Sequence, residues 1–138
     1  MENLLTATLP APTSRPRTLL WTARGLAGVV AASLFADAAA KLLALAPVVE
    51  ATQRLGYSVG VIRPLGFVLA ASTLLHLLPR TQLVGALLLT AYLGGATATL
   101  VHAGTPFWFP VAMGAILWLT YFVRSARLRE LLLSTESR

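Results

Sequence analysis

The sequence predicts an all-α fold, a four-helix transmembrane bundle with a short interfacial helix between the first and second spans. Three observations carry that prediction. Of 138 residues 57% are hydrophobic and only 12% charged, and mean hydropathy is +0.74. A soluble fold this small leaves too much of its surface facing water to hide so many apolar side chains. The apolar residues also come in long blocks, the pattern of chains dissolved in lipid. Finally, the cations gather between those blocks and at their ends. They form no basic face or tail of the kind that binds nucleic acid, so no nucleic-acid partner is expected despite a net charge of +6.

Length allows one domain, with three parts. Residues 1–18 are polar and punctuated by Pro10, Pro12 and Pro16, which reads as a flexible cytoplasmic tail. Residues 19–124 form the membrane domain, and residues 125–138 a basic cytoplasmic tail.

The first span is expected over about 19–46. Its stretch Gly25 to Ala36, ahead of the small-residue run Ala36 to Ala40, also resembles a signal peptide with a cleavage site. The cations lie too far from Met1 for that, and apolar character resumes after Lys41, so an uncleaved helix is the better reading. Residues 47–55 carry a start–stop signature: Pro47 opens, Glu50 sits in the first turn, Arg54 near the end and Gly56 beyond it. With Val48, Thr52 and Leu55 on one side, this is a short helix at the membrane surface. The remaining spans are expected over 61–78, 83–102 and 107–123. Each approaches the ~20 residues that cross ~30 Å of hydrocarbon, and only helices leave no backbone amide unpaired there without closing a barrel.

An even number of spans puts both termini on one side. That side carries Arg15, Arg17, Arg24, Arg80, Arg124, Arg127, Arg129 and Arg138, against Lys41, Arg54 and Arg63 opposite. The asymmetry places the termini in the cytoplasm of a cell whose inner (plasma) membrane the chain spans several times.

Asp37 is the one acidic residue inside a span, and it sits one turn below Lys41 on the same helix face, with Ser33 on that row. An unpaired carboxylate at that depth costs several kcal/mol, so the pair is either a register-fixing ion pair or part of a ligand or proton site. The neighbouring row Gly28, Ala32, Ala36, Ala40, Ala44 reads as a seam for close helix packing, to be met by Ala70, Ala71 and Ser72 and by Gly94, Gly95 and Thr97. His102 ends the third span near the level of Asp37, with Trp108 across the loop, whereas His76 lies near the opposite end beside Arg80. The histidines cannot share a metal, and no metal site is expected. Each reads more simply as an interfacial packing residue. Trp21, Trp108, Trp118 and Tyr121 read as aromatic-belt residues. The catalytic candidates are Asp37, Lys41, His102 and Tyr92. No phosphate-binding, zinc-protease or nucleophile-elbow motif is present, and Tyr92-Leu93-Gly94-Gly95 reads as a packing site. Without cysteine, the chain can run no dithiol chemistry and hold no thiolate-ligated metal.

The order of short motifs resembles the DoxX-like family of small four-helix bacterial membrane proteins. It runs Asp37-Ala38-Ala39-Ala40-Lys41, then Pro47 through Gly56-Tyr57, Leu78-Pro79-Arg80-Thr81, Thr90 through Ala96, and Phe109-Pro110-Val111, spread over residues 20 to 130. The resemblance implies a link to membrane redox complexes, including quinone-linked thiosulfate oxidation and oxidative-stress systems, with quinone as the one cofactor it suggests. No residue can be assigned to that role from the family, since cysteine is lacking. It leaves an accessory or binding subunit, with a partner membrane or oxidoreductase subunit or a second copy of the chain as a homo-oligomer. The alternative is a small membrane enzyme or carrier acting on a lipophilic substrate, with Asp37 as acid/base, Lys41 tuning it, and His102 or Tyr92 assisting. An oligomeric channel is weaker, because the polar row is too short to line a pore.

Overall fold

The computed structural model describes residues 17–125, so both expected tails lie outside the described residues apart from their innermost positions. It is all-helical: α1 Arg17–Leu42, α2 Ala46–Arg54, α3 Val59–Leu77, α4 Gln82–His102 and α5 Trp108–Arg124. The helices α1, α3 and α4 are long and apolar enough to cross a membrane, while α5 is a shorter apolar helix of 17 residues. The chain is a multi-pass membrane protein.

The long helices form a ring in which α1 packs on α3, α3 on α4, α4 on α5 and α5 back on α1. Helices α1 and α4 therefore face each other across the bundle, as do α3 and α5. A buried cluster fills the middle, with Val30, Leu34 and Ala38 from α1, Leu69 from α3, Leu89 and Leu93 from α4, and Leu117 from α5. The exterior is apolar too: Trp21 is 68% exposed, and Phe67, Leu74, Leu87 and Leu119 also point outward. Such a surface requires lipid as its solvent. Hydroxyl groups within the helices are satisfied locally. Ser72 donates to the Val68 carbonyl at 2.6 Å and Thr73 to that of Leu69 at 2.7 Å, as lipid demands.

Because lipid tails are as apolar as leucine, helices associate there through close packing and not through a hydrophobic pull. Two glycines make the closest approaches. A Cβ on Gly66 would lie 2.8 Å from Lys41 Cβ and 3.0 Å from the Ala38 carbonyl oxygen, so α3 presses against the α1 backbone there. A Cβ on Gly85 would run into the His76 backbone, so Gly85 closes the α3–α4 hairpin. Thr81 Oγ1 donates to the Leu75 carbonyl at 2.9 Å and His76 Nδ1 to the Gln82 carbonyl at 3.2 Å across the same turn.

The expected small-residue seam is not the one used. Gly28, Ala32 and Ala36 are exposed, and nothing approaches a Cβ built on Gly28. The buried row of α1 is Ala23, Val30, Ala31, Leu34 and Ala38. The sequence favoured the row of small side chains, but the row that turns inward carries the larger Val30 and Leu34. The first span also ends earlier than expected. Ala44 adopts φ 50°, with Ala44 N–H on the Lys41 carbonyl and Leu45 N–H on that of Ala40. That is a glycine-type helix terminator built on alanine, which is why it is not visible in the sequence. Tyr121 is buried against His76, their rings edge-on at 5.9 Å, and so belongs to the core and not to an aromatic belt.

Substituting Gly66 by alanine should cost about 1–3 kcal/mol through overpacking, and Gly85→Ala at least as much, because backbone blocks it. Ala36→Leu should stay within about 0.5 kcal/mol of the native protein. Thermal melts in detergent check the three; a tolerated Gly66→Ala beside a destabilised Ala36→Leu would reverse the seam.

Candidate functional site

At the end of the bundle where α1 and α4 finish, the core stops being filled. On α4, Gly95 and Ala96 line the space beyond the core leucines Leu89 and Leu93, and no atom comes within 4 Å of a Cβ built on Gly95. These residues do not bring helices together; they leave space. The result is a chamber of about 690 Å³, within the ~300–1,000 Å³ range of small-molecule sites. It reaches roughly 15 Å down from the end of α4 to Tyr92, at 1.5 Å per residue.

The walls are mainly apolar, with Leu34 from α1, Leu65 from α3, and Phe109, Pro110 and Met113 from α5. Helix α2 forms the roof. Its inward face is Val48, Ala51 and Thr52, continued by Leu55, and all four line the chamber. The expected side Val48–Thr52–Leu55 is thus the side that faces the bundle. Thr52 is buried, its hydroxyl donating to the Val48 carbonyl at 2.7 Å. The opposite face carries Glu50 and Arg54, 3.8 Å apart and exposed, a pair that contributes little to stability.

Asp37 and Lys41 both line the chamber, and Lys41 Nζ donates to Asp37 Oδ1. The i, i+4 spacing brings them together, as the sequence implied, but tertiary packing makes them unequal. The Lys41 side chain is only 14% exposed, its stem held against Gly66, whereas Asp37 is 44% exposed and keeps a free edge. Ser33, on the same row, is exposed and bonded back to the Val29 carbonyl at 2.9 Å, and plays no part in the chamber. Tyr92 lines the same chamber from α4. Three of the four candidates, Asp37, Lys41 and Tyr92, are therefore gathered around one cavity. His102 is not among them. It is exposed and lines a separate groove of about 320 Å³ beside the roof.

His76 sits at the opposite end of the bundle, buried in the α3–α4 hairpin, so its role is packing. Trp118 donates its Nε1–H to Thr90 Oγ1 at 2.8 Å, tying α5 to α4 toward that end.

Sequence reasoning gave Tyr57 and Phe109 only as parts of the motif order, not as site residues, and did not name Thr99. Tyr57 lies just past the α2 terminator, and its hydroxyl bonds Thr99 Oγ1 at 2.8 Å across the chamber mouth. The available signal was the polar threonine turn of α4, Thr97 and Thr99, level with the Gly56-Tyr57 stop.

A model of the DoxX-like family matches residues 25–123, more than half of the sequence. The chain belongs to the DoxX-like family. The match reaches into all five helices and takes in every candidate residue from Asp37 to His102. No curated protein and no solved structure matches this DoxX-like chain.

Asp37→Asn should lower stability, because it leaves the Lys41 ammonium partly buried without its partner. Adding Lys41→Met should recover much of the loss if the pair is only structural. A double variant that folds and expresses normally yet fails to complement a deletion strain would instead assign the pair to the site.

Proposed function

We propose that this DoxX-like protein crosses the bacterial inner membrane four times with both termini in the cytoplasm, and serves as an accessory or binding subunit of a quinone-linked redox system. The chamber carries this reading. Its volume, apolar walls and few convergent polar groups suit a lipophilic ring compound bearing polar oxygens. Lys41 and Tyr92 supply donors for carbonyl oxygens, and the free edge of Asp37 supplies an acceptor for a hydroxyl. Tyr92 and Phe109 offer aromatic surface beside the polar groups. A quinone bound there would supply two-electron redox chemistry, while the protein's own residues hold and orient it. The chain lacks cysteine to pass those electrons on, so a partner oxidoreductase subunit, or a second copy presenting the chamber to one, completes the system.

The four-span topology is supported by the cation asymmetry and by the ring of α1, α3, α4 and α5, in which α5 packs on both α1 and α4. At about 26 Å from 17 residues at 1.5 Å each, α5 spans the core with help from the preceding Phe107. Reporter fusions at Glu2 and Arg138 should both report cytoplasm, and the His102–Thr105 loop should be labelled from outside; an external C-terminus ends the topology.

Binding is tested by titrating a decyl-tailed benzoquinone into nanodiscs containing the protein and following quenching of tryptophan fluorescence. Saturable binding is expected, with Ala96→Phe, which fills the chamber, weakening it about tenfold or more, the effect of ~1.4 kcal/mol. Quenching no different from partition into empty nanodiscs overturns the reading. The exposed edge of Asp37 also favours a second reading, an enzyme or carrier for a lipophilic substrate with Asp37 as acid/base. Under it, Asp37→Asn would retain binding but lose turnover.

A further inference from the structure

The groove beside the roof and the chamber beneath it share three residues, Leu55, Tyr57 and Thr99. The groove is open to the surface at the α2 end and is completed by Gly56, Ala98 and His102. Where the two spaces meet, the hydroxyls of Tyr57 and Thr99 are bonded at 2.8 Å. The roof itself is held on one side only. Helix α2 packs on α1 and α3 and not against α4 or α5. Among the described residues, the Tyr57–Thr99 bond is the one side-chain hydrogen bond tying this segment to the far wall.

Each end of α2 is bounded by a residue in the left-handed region. Ala44 before it has φ 50° and Gly56 after it φ 89°. Each closes a helix with the same pair of backbone bonds: Ala44 to Lys41 and Leu45 to Ala40 in one, Gly56 to Gln53 and Tyr57 to Thr52 in the other. Any tilt of the helical stretch between them would turn on dihedral changes at these positions. A single neutral hydrogen bond is a small net contributor to stability, enough to bias a door shut but not to lock it.

We propose that the groove lined by His102 is an entry vestibule on the water-facing end of the bundle, and that the Tyr57–Thr99 hydrogen bond is the gate between it and the chamber. The ligand class that fits such a route is an amphiphile with a compact polar group. That group passes through the vestibule, where Thr99, Tyr57 and the His102 imidazole can hydrogen-bond it, while its apolar body enters beneath α2. This rests on the chamber being a binding site, but the gate can be tested with no ligand at all.

The absence of native cysteine makes single thiols clean reporters. Ala96→Cys places a thiol in the chamber and Ala98→Cys one in the vestibule. In nanodiscs, where reagent reaches both faces, a small charged methanethiosulfonate should modify Cys at 98 quickly and Cys at 96 slowly. Tyr57→Phe or Thr99→Val should each speed the chamber thiol about tenfold, leave the vestibule thiol unchanged, and add nothing further when combined. Thr99→Ser, which keeps the hydroxyl, should restore slow modification and so separates the gate from a general loosening of the fold. Equal acceleration of both thiols, or none at either, overturns the proposal. So does a chamber thiol that only a lipophilic maleimide can reach, indifferent to Tyr57, since the door would then be in the lipid-facing wall. A protein that binds no quinone but shows the selective acceleration refutes the quinone reading and leaves the gate standing.

Discussion

The close contact of α3 with α1 at Gly66 governs most of what lies around it. In lipid no hydrophobic force draws two apolar helices together, so their separation is set by how near the backbones can come and how many atoms then touch. The missing side chain at Gly66 lets α3 settle against Ala38, Lys41 and Leu42. That contact fixes the rotation of α1, and with it the fact that Leu34 and Ala38 point inward while Ala32 and Ala36 point to lipid. It also clamps the stem of Lys41 and turns the ammonium back toward Asp37. The ion pair owes its formation to helical spacing, but its orientation toward the chamber follows from the glycine on the facing helix.

The same geometry explains why a bundle this small can hold a chamber. A ring of four helices needs bulky side chains along its axis to be solid, and in one half the leucines at 69, 89 and 117 provide them. In the other half α4 lines the space with the small residues Ala91, Gly95 and Ala96 while α1 offers a charged pair. Small residues usually signal close helix approach in membranes, but that holds only when the facing helix can come nearer. Here α1 and α4 lie on a diagonal, held apart by the packing of each on α3 and α5, so the small side chains become empty volume. Where two helices are adjacent, as at Gly85 and His76, the same residue type produces contact instead.

Helix α2 solves a further problem created by the chamber. An open cavity with a charged pair at a membrane surface would admit water and lipid freely. A nine-residue amphipathic segment, apolar toward the chamber and charged away from it, covers part of the opening without adding a span. It is anchored to α1 and α3 by packing and to α4 by two hydroxyls, an unequal attachment that leaves one edge of the roof easier to lift than the other.

Much of this was legible in the residues themselves. Long apolar blocks dictated helices in lipid, proline and glycine around residues 47–56 dictated a short separate helix, and the four-residue spacing dictated an Asp37–Lys41 pair, because each depends only on neighbours along the chain. The order of motifs was enough to place the chain among DoxX-like proteins. What only the tertiary structure decided was which row of α1 turns inward, that Gly95 borders a void and not a seam, that His102 stands outside the chamber holding Tyr92, and that Tyr57 reaches Thr99. Each of those depends on which helices are neighbours in the ring and which are diagonal, and a hydrophobic periodicity in lipid does not record it, since every face of such a helix is apolar whether it meets a neighbour, a cavity or a lipid tail.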